Sequence, residues 1–191
     1  MRKIVFDIET KNVFQDVGKN DPTLLDISLV GIYDSESDSY DSFLEDDFFR
    51  LWQILEHADV LIGFNSDHFD IPLLDKYYPG NLSAIKSIDL MKEIRKVLGR
   101  RISLNAVAEA TLGVQKSGNG LEAVSWWKEG AIEKIRDYCL QDVKITKELY
   151  DYALSNGLLK YRDFGTLRDI PLNTTSWEQK NSASMTHTLP F

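Results

Sequence analysis

The sequence predicts an α/β fold in which a mixed central β-sheet is flanked by α-helices. Three observations carry that expectation. Three apolar, β-branched runs crowd the first 44 residues. A short and almost wholly apolar run follows a helical segment. Beyond residue 65 the apolar spacing turns helical.

The elements follow in order. Lys3–Glu9, Asp26–Tyr33 and Tyr40–Leu44 read as successive strands, the last two divided by the polar turn "DSESDS", which makes a meander. In "DDFFRLWQILEHA", Phe48, Leu51, Trp52 and Leu55 recur at helical spacing behind a first turn of acids that suits the helix dipole. "DVLIGFN" has the pattern of a strand buried on both faces in a parallel arrangement. Helices are then expected over Asp70–Tyr78, Asp89–Leu98 and Ser103–Leu112, the last capped by Ser103 and stopped by Gly113. A long helix from Ala131 to Ser155 ends at Gly157. "LLKYRDFGTLRDIPL" reads as an edge strand or a hairpin. From Asn173 the chain is rich in Ser, Thr and Asn and reads as a loose tail, with Trp177 hinting at some docking.

Length and composition narrow the function classes. At 191 residues and 43% hydrophobic content the chain suits one sizeable core, expected over residues 1–172, with 173–191 as a flexible tail. No apolar run reaches transmembrane length and Arg2 and Lys3 lead straight into a strand, so a soluble, cytoplasmic protein without membrane association is expected. One cysteine, Cys139, excludes an intrachain disulfide framework and a multi-cysteine zinc site. The scattered His57, His68 and His187 offer no zinc spacing. Any metal must be held by oxygen, which points to Mg2+ or Mn2+. A net charge of −8 argues against a general electrostatic grip on nucleic acid, though not against a local one.

The chemistry lies in the acids. "KIVFDIETK" ends an apolar strand with Asp7 and Glu9, which sit two residues apart and so share one face. Like charges that close need a positive partner. "GFNSDHFDIPLL" places Asp70 just after the buried strand, and "YCLQDV" sets Tyr138 and Asp142 at i and i+4 on one face of the long helix. Each also has a plain reading. Two acids can close a strand as a solvated end, Asp70 two residues before Pro72 can cap a helix as Asp89 does in "SIDLM", and Asp142 can pair with Lys144 or Lys147.

Together, "FDIET", "GFNSDHFD" and "YCLQD" resemble, in order and in wording, the three exonuclease motifs of the DEDD superfamily in its tyrosine-bearing branch. They are most similar to the proofreading exonuclease domain of family B DNA polymerases and to related stand-alone predicted exonucleases. The resemblance covers roughly residues 1–155 and implies a ribonuclease H-like fold, in keeping with the element order. It implies 3′–5′ exonuclease activity on nucleic acid, DNA favoured, at a single strand or a 3′ end. It also implies catalytic roles for Asp7, Glu9, Asp70, Tyr138 and Asp142, and substrate contacts from Thr10, Asn65 and Phe69. Association with replication or repair proteins would be in keeping with it. His68 falls in the wrong motif for the histidine branch and reads as a loop residue.

Phosphodiester hydrolysis needs an activated water, a stabilised leaving oxygen and relief of charge between them. Two divalent ions about 4 Å apart supply all three, and four carboxylates supply the charge that holds them. Asp7, deepest in its strand, is expected to bridge both ions. Glu9 is expected on the water side, with Asp70 and Asp142 completing the ligand set. Tyr138, whose ordinary pKa near ~10 suits it poorly as a base at neutral pH, is expected to orient the water.

Nucleic acid would need a local basic patch, and "LMKEIRKVLGRR" is the densest positive stretch, with Arg100 and Arg101 at its end. A solvated helix face explains it as well. "QKSGNG" is a turn that can bring Lys116 to a phosphate or serve as a mere connection. Trp126 and Trp127 can stack a terminal base or cover a core seam. Two rivals stand beside the exonuclease: a structure-selective endonuclease on the same fold, and a non-catalytic module that binds nucleic acid or protein. The remaining residues leave no room for a polymerase domain.

Overall fold

The computed structural model describes residues 1–114 and 120–179. Strand β1 (Lys3–Thr10) is followed by a one-turn helix α1 (Phe14–Val17), then by β2 (Ile27–Asp34), β3 (Ser39–Phe43), α2 (Phe48–Leu55) and β4 (Val60–Gly63). Helix α3 (Asp70–Asp75), strand β5 (Lys86–Asp89) and helices α4 (Leu90–Leu98) and α5 (Leu104–Leu112) come next. The chain continues through α6 (Gly120–Lys128) and α7 (Ile132–Asn156) and closes with β6 (Leu158–Asp163) and β7 (Thr166–Pro171).

The main sheet has the order β3-β2-β1-β4-β5. The β1–β2 and β2–β3 pairs are antiparallel, whereas β1–β4 and β4–β5 are parallel, so the sheet is mixed as predicted. Period-two alternation divides β1 between two cores. Ile4, Phe6 and Ile8 pack with Leu51, Leu55 and Leu73 on one side, beneath α2 and α3. Val5 packs on the other side with Ile62, Val143 and Leu149, beneath α7. Asp7 and Glu9 continue the Val5 face, so the acids lie at the end of a buried row. Helix α7 crosses that row.

Besides the one-turn α1, two elements depart from the expected list. Lys86–Asp89 is a strand ahead of α4, and Asp89 ends one element while capping the next, accepting from the Met91 and Lys92 backbone N–H groups. Four residues with two polar ends carry too little alternation to announce a strand. Gly120–Lys128 is helical although "SWWK" gives no clean period; its buried Ala123 and Val124 hold it down. The C-terminal apolar segments form a hairpin that is a separate two-stranded sheet.

Asn173 to Gln179 lies against this body. Trp177 is 4% exposed and stacks on Tyr150 at 5.4 Å, Lys3 pairs with Glu178, and Lys86 donates to the Gln179 carbonyl. Residues 180–191 lie outside the described residues.

Candidate active site

Three elements and one loop converge where β1 ends. Antiparallel pairing puts Asp7 opposite Gly31 and Glu9 opposite Leu29, with the register shifting between Glu9 and Thr10. Such irregularities re-aim side chains at a strand end. Gly31 explains how α7 comes so close: a Cβ there would lie 2.8 Å from Cys139 Sγ and 3.3 Å from both Leu140 and Val143. With no side chain on β2 at that point, the helix settles on the strand and carries Tyr138 and Asp142 over the acid pair.

The loop after β4 supplies the fourth carboxylate. Ser66 is buried where a Cβ on Gly63 would sit, so the chain folds tightly back on the strand. Asn65 takes a left-handed conformation at φ 68°, its N–H bound by Asp89 at 2.8 Å, and the Asp67 N–H also reaches Asp89. The Asn65 side-chain oxygen is buried without a hydrogen-bond partner among the described residues. Asp70 is the first residue of α3, 5% exposed, and it faces the same cavity as the other acids.

That cavity holds about 550 Å³ and is lined by Asp7, Glu9, Asp70, Tyr138 and Asp142, the five residues expected to carry the chemistry. Thr10, Asn65 and Phe69 line it too. The Thr10 hydroxyl donates to the Asn12 carbonyl at 2.8 Å, so its oxygen is engaged in the loop that follows β1. Apolar walls come from Phe14, Leu25, Phe64, Phe69, Leu121 and Val124, with Phe14 edge-on to Phe69 at 6.0 Å. The site is therefore an acidic floor beneath an apolar mouth.

Burial sets the electrostatics. Glu9, Asp70 and Asp142 are between 4% and 6% exposed, and charges taken out of water that far are costly unless compensated. Burial pushes the Asp70 carboxyl up to about 7, with the charge of Asp89 adding and the backbone N–H groups of Asp70 and Ile8 opposing. Burial also pushes the Tyr138 phenol far above its ordinary value, with Asp142, Glu9 and Asp7 reinforcing the effect, so it stays protonated. Cys139 behaves alike: burial and the neighbouring carboxylates raise its thiol well above the usual range. As a neutral thiol it lies 3.4 Å from the Asp7 carbonyl oxygen and 3.6 Å from Oδ2.

Ligand atoms of Asp7, Glu9 and Cys139 all lie within 4.8 Å of one another. A neutral thiol is a poor ligand for a hard cation, so the donor set is the carboxylate oxygens. Clustered carboxylate oxygens are the donor type that a hard divalent cation takes.

The remaining predicted residues disperse. Arg100 lies over the Tyr161 ring at 5.5 Å and is committed to the hairpin, whereas Arg101 lines a separate cavity with His68 and Arg95. Lys116 lies outside the described residues. Trp126 packs edge-on against Tyr138 at 5.8 Å and Trp127 takes Lys11 over its ring, both against the small core of Leu29, Ile135 and Cys139. Lys144 and Lys147, offered as partners for Asp142, pair instead with Glu148 and Asp151, and Asp142 is buried.

Sequence reasoning missed Phe14, Leu121, Val124, Gly31 and Cys139. A glycine inside the strand "ISLVGIYD" was the available signal for close backbone approach.

The family model of the RNase_H superfamily matches residues 4–154. The chain belongs to that superfamily. Among curated relatives of this RNase_H superfamily chain, the DNA polymerase of Thermococcus aggregans is 30% identical over 132 residues, covering 52% of this chain and 7% of that protein. The DNA polymerase of Thermococcus litoralis is 29% identical over 132 residues, covering 52% of this chain and 8% of that protein. This chain thus spans less than a tenth of their length. The structure of the family B DNA polymerase from the hyperthermophilic archaeon Pyrobaculum calidifontis superposes with a TM-score of 0.61 at 21% identity, over 81% of this chain and 24% of that one. That likeness shows the RNase H-like fold. Among the described residues, no helix is long and apolar enough to cross a membrane.

Proposed function

We propose that this chain is a metal-dependent 3′–5′ exonuclease that removes nucleotides from the end of a nucleic acid strand, with DNA as the favoured substrate. One observation carries the reading: Asp7, Glu9, Asp70, Tyr138 and Asp142, drawn from three distant stretches of sequence, line one cavity. The similarity to DNA polymerases supports DNA as substrate, and the resemblance to proofreading exonuclease motifs supports the 3′ direction.

Asp7, Glu9, Asp70 and Asp142 would hold two divalent ions. When bound, such ions acidify a coordinated water and offset charge developing on phosphate oxygens. The protein's own groups do the rest. Tyr138, kept protonated, retains an O–H with which to fix the direction of the attacking water. The Cys139 thiol lies against Asp7 and steadies that carboxylate. The apolar mouth of Phe14, Phe69 and Val124 excludes bulk water and offers a terminal base a surface to stack on.

The test is a degradation assay on 5′-labelled DNA and RNA, single- and double-stranded, with free or blocked 3′ ends, in Mg2+ and in Mn2+. Stepwise shortening from free 3′ ends, with release of nucleoside monophosphates, is expected. Cleavage of end-blocked substrates would instead mark a structure-selective endonuclease, and binding without any cleavage a non-catalytic module.

A further inference from the structure

We infer that the cavity lined by His68, Arg95 and Arg101 is a phosphate-binding subsite for the strand upstream of the bond cleaved, a role that rests on the exonuclease reading. It holds about 280 Å³ and shares Asn65 with the acidic cavity, so one residue is the ridge between the two. A chain whose net charge is −8 has to hold a polyanion locally.

The charges around this cavity separate into spent and available. Asp89 accepts backbone N–H groups from Asn65, Asp67, Met91 and Lys92, which offset its charge. Asp67 is engaged by Lys92 and by the Ser87 hydroxyl. Arg95 and Arg101 form no ion pair with a described residue, and both side chains are exposed. Gly99, at φ 68°, stops α4 and reverses the chain, and this brings Arg101 back to the cavity that Arg95 lines from the helix. Two unpaired guanidinium groups on one concavity match phosphate oxygens in fork geometry, which lysines do not. The ridge itself is rigid, because Asp89 pins the Asn65 backbone. A strand whose terminal nucleotide sits over the acids therefore crosses Asn65 and lays its next phosphates on the arginines.

The experiment is equilibrium binding of a 5′-fluorescein thymidine decamer, followed by anisotropy in EDTA so that no hydrolysis occurs, over a range of salt concentrations. The proteins are the wild type, the double variant Arg95→Ala/Arg101→Ala, and a control of equal charge, Arg162→Ala/Arg168→Ala on the hairpin. Each phosphate contact to a single strand contributes about 0.7 to the slope of log affinity against log salt. The Arg95/Arg101 variant should lose about 1.4 of that slope and bind about tenfold more weakly at moderate salt, while the control keeps both. Equal slopes and affinities in wild type and the Arg95/Arg101 variant, or equal losses in the control, overturn the subsite. Failure of the wild type to bind overturns it as well. A wild type that binds with the expected slope yet hydrolyses nothing in Mg2+ sinks the exonuclease reading and leaves the subsite standing.

Discussion

Gly31→Ala tests whether the close approach of α7 to β2 sets the site. The added Cβ would lie 2.8 Å from Cys139 Sγ, and ordinary contact begins at 3.4 Å. Side-chain atoms of Leu140 and Val143 at 3.3 Å crowd the same methyl, so α7 is met at three positions at once and relief calls for a shift of about 0.6 Å. Overpacking of this kind costs about 1–3 kcal/mol of stability. The same shift lifts Tyr138 and Asp142 from Asp7 and Glu9. Misplacing catalytic groups by ~1 Å can cost about 100-fold, or ~2.7 kcal/mol of barrier, so a loss of roughly ten- to a hundredfold is expected for a smaller shift. The assay pairs thermal melting with single-turnover hydrolysis at saturating Mg2+. Cys139→Ala in the Gly31→Ala background removes the nearest obstruction and should restore part of both quantities. If Gly31→Ala melts with the wild type and hydrolyses at its rate, the helix placement drawn from this contact is wrong.

Asp142→Ala should keep the fold and abolish hydrolysis, with metal-free melting unchanged or higher because a buried acid has left a cluster of acids; near-wild-type turnover rules out its role as a ligand. Tyr138→Phe keeps the ring against Trp126 and should leave metal affinity alone while slowing the chemical step by about 100-fold, read as an unchanged Kd and a lower single-turnover rate. Asp70 predicts a pH effect: its folded value of about 7 lies above the ordinary 3.8, so the stability it contributes is complete below about 3.8 and is lost as pH rises through about 7. Melts in EDTA should fall as pH rises from about 4 to about 7 and level off above that, and Asp70→Asn should flatten the fall; equal slopes in the two proteins reject the assignment.

The acids were legible because each motif couples an unusual residue to an obvious element. Asp7 and Glu9 interrupt an apolar strand, and Tyr138 and Asp142 stand one helical turn apart on a long helix. Residues acting by shape were not legible. Nothing in the local pattern distinguishes Phe14 in a one-turn helix from any other aromatic, and at the mouth it packs edge-on to Phe69, far away in sequence. Strand β5 was hidden by its brevity, and with it the second duty of Asp89, which caps α4 and pins the Asn65 loop. Arg100 and Arg101 are adjacent in sequence, yet the turn at Gly99 and the ring of Tyr161 send them to different places. Spacing along a chain cannot report such partings, because both depend on contacts with elements far away in sequence.

Whether the four carboxylates hold two divalent ions is tested most directly by Mn2+ binding read by electron paramagnetic resonance. Titration of the wild type at pH 8 should show two bound ions per chain, and Asp7→Ala should bind fewer because one of the acids that would hold them is gone. No bound manganese in the wild type, or an unchanged count in Asp7→Ala, would contradict the account.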